Sequence, residues 1–150
     1  MPELPEVETI RRSLEPCLKG QMITGLQIRH PDILLPAPEA FTAILPGLRI
    51  MALQRRGKYL ILELSEDWCL VFHLRMTGKL LWTADPQSPV LPHTHLIFEF
   101  ESRAQLRFND VRRFGRCWLV RREEMERISG LAALGPEPIR SDFTADVLKE

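Results

Sequence analysis

The stretch His95-Leu96-Ile97-Phe98-Glu99-Phe100, then Glu101-Ser102-Arg103, then Gln105-Leu106-Arg107-Phe108, decides the fold class. Leu96, Phe98 and Phe100 occupy every second position, which in an extended chain places them on one face. Glu101-Ser102-Arg103 between two such runs has the pattern of a hairpin loop. The same pattern extends in both directions. Short apolar or alternating runs recur at Met22–Arg29, Leu48–Arg55, Tyr59–Leu64, Cys69–Leu74, Lys79–Trp82 and Arg116–Val120, and Ser65-Glu66-Asp67 reads as a second hairpin loop. About eight short strands in succession predict a mainly β domain, a β-sandwich or barrel rather than a doubly wound sheet, and of these a two-layer β-sandwich is the architecture expected.

Helices flank this block. Residues 5–19 have Val7, Ile10, Leu14 and Leu18 at helical spacing, with Pro5 in the first turn and Glu6 and Glu8 near the positive end of the helix dipole. Pro16 is expected to kink or stop this helix, and Gly20 suits its end. Ala84 to Pro92 reads as a proline-rich loop with the composition of a mobile segment. Arg122 to Ile128 suggests a short helix, Gly135-Pro136-Glu137-Pro138 a linker, and Phe143 to Lys149 the start of a further helix. The expected organisation is a sandwich over 1–130, followed by a linker and the first part of a second domain over 131–150.

A chain of 150 residues and 17.4 kDa buries a sizeable core without help from disulfides or metals. No apolar run approaches the ~18 residues of a membrane span, and the N-terminus lacks the basic and apolar regions of a signal peptide. Both point to a cytoplasmic protein with no membrane partner. Cys17, Cys69 and Cys117 are odd in number and widely spaced, which argues for buried small hydrophobes rather than a disulfide framework or a zinc cluster.

The formal net charge is zero, but it is unevenly distributed. Between Arg103 and Arg122 there are seven arginines and one acid, Asp110; Arg49 to Lys58 adds four cations and no acid. Glu123 to Glu150 carries seven acids against three cations. Arginine outnumbers lysine sixteen to four, which suits forked phosphate contacts and a nucleic-acid partner, and is equally the mark of an arginine-rich genome composition.

The sharpest chemical feature is the first eight residues. Removal of Met1, which a small second residue permits, makes Pro2 an N-terminal secondary amine. An α-amino group titrates near ~8, so it is partly unprotonated and nucleophilic at neutral pH. Attack on an aldehyde-level carbon gives an iminium, which acidifies the neighbouring carbon and drives elimination, with Glu3 placed in sequence to move protons. The alternative is that Pro2 and Pro5 only shape the entry to a helix.

Pro2-Glu3-Leu4-Pro5-Glu6-Val7-Glu8-Thr9, with Arg11-Arg12 behind it, resembles the N-terminus of bacterial formamidopyrimidine-DNA glycosylases. The resemblance continues through Gln54-Arg55-Arg56-Gly57-Lys58-Tyr59-Leu60, His73-Leu74-Arg75-Met76-Thr77-Gly78, His93-Thr94-His95, Asn109-Asp110-Val111-Arg112-Arg113-Phe114-Gly115 and Leu134-Gly135-Pro136-Glu137-Pro138. The related endonuclease VIII branch usually has glycine where Leu4 stands, so the likeness is to the oxidised-purine branch.

The resemblance implies base-excision repair: removal of 8-oxoguanine and formamidopyrimidines from duplex DNA, then strand cleavage by β- and δ-elimination. It implies that Pro2 forms an imine with C1′ of the damaged nucleotide and that Glu3 is the general acid/base. Lys58 would donate a proton during elimination and bind phosphate, and Glu6 would support the site. A base reached inside a duplex must be flipped out at a cost of a few kcal/mol, and the gap must be filled. By resemblance Met76, Arg112 and Phe114 fill it, Arg112 also contacting the estranged base, commonly cytosine. His93 would contact the DNA backbone; His93-x-His95 also has the spacing of two metal ligands on a strand, without a cysteine or acid to complete a site. His73 reads equally as a contact near phosphate or as a hydrogen-bonded core histidine.

Family members continue into a helix–two-turn–helix domain and a C-terminal zinc finger. The expectation is therefore an N-terminal catalytic half that holds no cofactor of its own, acts as a monomer on double-stranded DNA with an oxidised purine or abasic site, and is weak or inactive alone. The alternative is a non-catalytic DNA- or protein-binding sandwich derived from the family.

Overall fold

The computed structural model describes residues 4–75, 77–113 and 115–128. The chain begins with helix α1 (Leu4–Leu18), followed by strand β1 (Ile23–Ile28), the two-residue strand β2 (Leu34–Leu35) and helix α2 (Pro38–Ile44). Seven further strands follow: β3 (Ile50–Arg56), β4 (Tyr59–Leu64), β5 (Trp68–His73), β6 (Gly78–Thr83), β7 (Thr94–Phe100), β8 (Gln105–Asp110) and β9 (Arg116–Arg121). A 3-10 segment, Arg122–Arg127, follows β9. The strands form a four-stranded sheet in the order β1-β7-β8-β6 and a five-stranded sheet in the order β2-β9-β5-β4-β3. This is the expected mainly β, two-layer architecture with an N-terminal helix.

The alternation at 95–100 works as its spacing predicts. Leu96, Phe98 and Phe100 join Leu106 and Phe108 of β8 in the core, opposite Leu60, Leu62, Leu70 and Phe72 of the other sheet. Phe72 crosses between the sheets, meeting Phe98 and Phe108 edge to face at ring separations of 6.1 and 5.9 Å. That geometry sets the positive ring edge against the negative face.

Both outer faces are also covered. The whole of β8 is buried, including Gln105, Arg107 and Asn109 on the side away from the core. Arg107 donates to the carbonyls of Pro89 (3.1 Å) and Pro86 (3.3 Å), and Asn109 to that of Pro92 (2.6 Å). The proline-rich loop is thus pinned across the sheet by side chains rather than left free. On the five-stranded sheet, Tyr59, Ile61, Cys69 and Val71 form a second cluster with Ile128, joined by Trp118, Val120 and Met125.

Helix α1 buries Val7, Leu14 and Leu18, with Ile10 partly covered; each fully buried aliphatic side chain is worth about 2 kcal/mol. The helix continues two residues beyond Pro16. Pro16 lies in the last turn; it removes the N–H that would bond the carbonyl of Arg12, and only two helical residues follow it. Gly20 then takes φ 91° and its N–H donates to Ile50 O at 2.8 Å, joining the helix end to β3. Cys69 and Cys117 are buried as expected, but Cys17 is only partly so, because it lies off the apolar stripe of α1. Burial pushes the Cys69 thiol up to about 12 and that of Cys117 upward as well. The segment expected as a helix over 122–128 is a 3-10 turn, and those at 135–138 and 143–149 lie outside the described residues.

Candidate functional site

One end of the sandwich gathers the described candidates. Strands β3 and β4 meet in a two-residue turn, Gly57-Lys58, between the paired residues Arg56 and Tyr59, and Gly57 takes the positive φ (61°) that such a turn demands. Tyr59 pairs in register with His73, so the lysine turn lies beside the end of β5. The His73 ring packs edge-on to Tyr59 at 4.8 Å, and its Nδ1 accepts the Arg75 N–H at 3.2 Å. Burial, together with the positive charges of Arg75 and Lys58, lowers the His73 pKa to about 4. His73 is therefore neutral at physiological pH, with its proton on Nε2.

Helix α1 begins at this same end. Glu8 accepts from Arg11 (2.7 Å), Arg12 (3.0 Å) and, across to β3, Arg55 (3.2 Å). Hydrogen bonds from Arg11 lead in holding the Glu8 carboxyl down at about 2, with Arg12 and Arg55 adding to them. Arg55 also donates to the Gly57 carbonyl at 3.2 Å. The start of the helix and the lysine turn are thus joined through a single guanidinium.

A third group centres on Asp110, the last residue of β8, which is fully buried. One carboxylate oxygen accepts the Thr77 hydroxyl and the Arg112 N–H (3.2 Å); the other accepts the Gly115 N–H at 2.7 Å. Its backbone N–H donates to the His93 carbonyl (3.0 Å), and its own carbonyl accepts from His95 Nε2 (2.6 Å). A Cβ at Gly115 would stand 2.8 Å from Phe108 Cζ, 2.9 Å from the Asp110 carboxylate and 3.0 Å from the His73 carbonyl, so this backbone passes where only glycine fits.

Lys58 is half-buried, His73 is buried, and Glu6 (in the first turn of α1), His93 and Arg112 are exposed. Pro2, Glu3, Met76 and Phe114 lie outside the described residues. His93 and His95 differ sharply. His93 precedes the strand with φ 69°, whereas His95 is buried and uses Nδ1 on His30 (2.6 Å) and Nε2 on Asp110. A carbonyl only accepts, so Nε2 carries the His95 proton and Nδ1 accepts from His30. Among the described residues no group of three or more His, Cys, Asp or Glu is placed to hold a metal ion.

The arginine run does not fold into one patch. Arg112 and Arg113 are exposed at the site, Arg107 is buried under the proline loop, and Arg103, Arg121 and Arg122 lie at the opposite end. Because β8 and β9 traverse the sandwich, residues ten apart in sequence reach opposite ends of it.

Residues 1–117 match the family described as formamidopyrimidine-DNA glycosylase N-terminal domain. The chain belongs to that family. Among curated formamidopyrimidine-DNA glycosylases, that of Moorella thermoacetica is 50% identical over 146 residues, covering 97% of this chain and 53% of the relative. That of Chloroflexus aurantiacus is 46% identical over the whole chain and 53% of the relative. The chain thus spans about half the length of the curated glycosylases it matches. Lactococcus lactis formamidopyrimidine-DNA glycosylase, solved non-covalently bound to DNA containing an AP site, superposes with a TM-score of 0.83 at 38% identity, over 98% of this chain and 56% of that one. The same protein in complex with FAPY-dG-containing DNA gives 0.84 at 37% identity, over 98% and 55%.

Within this glycosylase domain, sequence reasoning passed over Asp110, Arg55 and Glu8. Asp110 did leave a signal. It is the single acid among seven arginines, and an isolated acid ahead of two adjacent arginines and a glycine is a candidate loop anchor. Arg55 and Glu8 are 47 residues apart, and nothing local marks them as partners.

Proposed function

We propose that this domain binds double-stranded DNA at an oxidised purine or an abasic site and supplies the nucleophile of a glycosylase and lyase reaction. The observation that carries the reading is the gathering of Lys58, His73, Arg75, His93 and Arg112 at one end of the sandwich, the end at which α1 begins. DNA complexes of relatives at 37–38% identity support it.

In this reading the Pro2 nitrogen, freed by removal of Met1, attacks C1′ of the lesion nucleotide. The base departs with the bonding pair and takes a proton. Opening of the sugar gives an iminium, with Glu3 moving the proton. Loss of a C2′ proton then expels the 3′-phosphate, and a second elimination expels the 5′-phosphate. Lys58 binds phosphate and donates a proton during elimination, and Glu6 supports the site. Met76, Arg112 and Phe114 fill the gap left by the extruded base. His93 meets the DNA backbone, and His73, being neutral, acts through its Nε2–H rather than as a cation. The domain works as a monomer in the bacterial cytoplasm, on the nucleoid.

Phosphate contacts dominate DNA affinity. A polypeptide of these residues is therefore proposed to bind more weakly than relatives about twice its length.

Borohydride trapping tests the reading. The purified chain, its N-terminus established by intact mass, is mixed with a duplex carrying one abasic site and reduced. A covalent band mapping to Pro2 is expected. No band from a chain with a free Pro2 amine would overturn the catalytic assignment and favour a non-catalytic binding module.

A further inference from the structure

Two of the connections at the site end cross from one sheet to the other. Residues 74–77 lead from β5 in the five-stranded sheet to β6 in the four-stranded one, and residues 111–115 lead back from β8 to β9. A third segment, ending at His93, enters β7. Each contains a non-glycine residue at positive φ: Arg75 (58°), Arg113 (57°) and His93 (69°). Such backbone persists only where the surroundings over-determine it.

Asp110 is bonded into all three. Its carboxylate takes Thr77 from the first crossover and the Arg112 and Gly115 amides from the second. Its backbone N–H holds the His93 carbonyl, and its carbonyl holds His95 and the Arg113 amide. Of the described candidate residues, His93 and Arg112 each bond to Asp110 through their own backbone. Burying a carboxylate is costly unless every oxygen is satisfied, and here both oxygens face donors. Asparagine does not substitute for it. Whichever way the amide is turned, its NH2 faces a backbone N–H.

We propose that Asp110 is a positioning residue that locks the two sheet crossovers and the start of β7 into one platform, presenting His93 and Arg112 to DNA in fixed register. It acts through these loops and touches no reacting atom. The DNA-facing part of this inference rests on the function proposed above; the locking of the loops does not.

Amide hydrogen exchange of D110N and Thr77→Val, measured on the chain without DNA, tests the lock. D110N is expected to lose about tenfold or more in protection at 75 and 77, 93–95, and 111–113 and 115 together, while β3 and β4 keep theirs. Thr77→Val, the milder variant should D110N not fold, is expected to loosen 75 and 77 alone. Loss confined to 111–113 and 115 in D110N, equal loss throughout the sheets, or unchanged protection at 75 and 77 in Thr77→Val would overturn the proposal.

A second arm compares binding to a duplex with a tetrahydrofuran abasic-site analogue and to the same duplex intact. D110N is expected to lose about tenfold of the wild-type preference and to keep its affinity for the intact duplex. An unchanged preference overturns the presenting role. A wild-type chain with no preference at all counts against the proposed function, and the exchange result still decides the lock.

Discussion

At the end of the sandwich closed by the Ser65–Asp67 and Glu101–Arg103 turns, Glu66, Asp67 and Arg103 hold positive φ of 62°, 66° and 80°. At the other end Arg75, His93 and Arg113 hold 58°, 69° and 57°. Backbone strain is thus similar at the two ends, but what sustains it differs. In the Glu101–Arg103 turn the bonds are scattered over several partners: Arg103 N–H to Phe100 O at 2.9 Å, Ala104 N–H to Ser102 Oγ at 3.3 Å and, from far along the chain, Glu101 N–H to Met22 O at 2.9 Å and the Ser102 hydroxyl to Gln21 Oε1 at 2.8 Å. At the opposite end the bonds converge on one buried acid, Asp110, from three separate segments. Bonds to scattered partners fix one point of a turn each; bonds that share one residue couple the segments to one another. That coupling is what distinguishes the second end.

The contrast makes graded predictions. Gly115→Ala at the site end should cost about 2–3 kcal/mol, because its Cβ meets a backbone carbonyl, a ring carbon and a carboxylate within 3.0 Å. Gly20→Ala at the far end meets nothing within 4 Å and bears only the strain of φ 91°, about 1 kcal/mol. Urea denaturation of the two variants side by side decides; equal losses would erase the distinction between the ends.

Glu8→Gln comes next, with a loss of about 1–2 kcal/mol at pH 7 from a partly exposed network of three arginines. The folded Glu8 pKa, held down at about 2, lies below the ordinary value of 4.5. Its stabilisation is therefore complete above 4.5 and fades as pH falls toward 2, so wild type and variant should converge in acid denaturation.

His73 makes the site end sensitive to pH. With a folded pKa of about 4 against 6.5 unfolded, the unfolded chain binds the extra proton first, so stability falls as pH drops from 6.5 to 4. His73→Gln should flatten the slope across that window, and an NMR titration of the imidazole should place its midpoint near the lower limit. The smallest effect belongs to the far end. Arg121 lies over Trp68 at 4.4 Å and donates to Glu66 O, and Arg121→Ala should cost about 0.5–1 kcal/mol in the same urea assay, with no change in DNA binding.

The strands, α1 and the two hairpin turns were legible because each is written in local periodicity or turn chemistry. Tyr59–Leu64 matched its strand to the residue. Helix α2 and strand β2 were not foreseen. Prolines at 31, 36 and 38 make that stretch look like loop, whereas Pro38 stands in the first turn of α2, where a missing N–H costs nothing. The proline-rich loop at 84–92 looked free because its anchors, Arg107 and Asn109, lie on another strand. The arginine run overstated the basic surface for the same reason. Within the site, Lys58, His73, His93 and Arg112 were legible by resemblance to a family, and the structure brings them to one end. Asp110, which ties the loops there, was not among them, because its partners are chosen by the fold.

The bridge from Glu8 through Arg55 to the Gly57 carbonyl has a mechanical consequence. It works as a strut. A group mounted on the opening of α1 and one mounted on the 57–58 turn move together, although some fifty residues of chain separate them. For the two-step elimination proposed above, this is a matter of timing: with the two mounting points tied together, the distance between groups carried on them is set once, when the domain folds, rather than sought before each proton transfer.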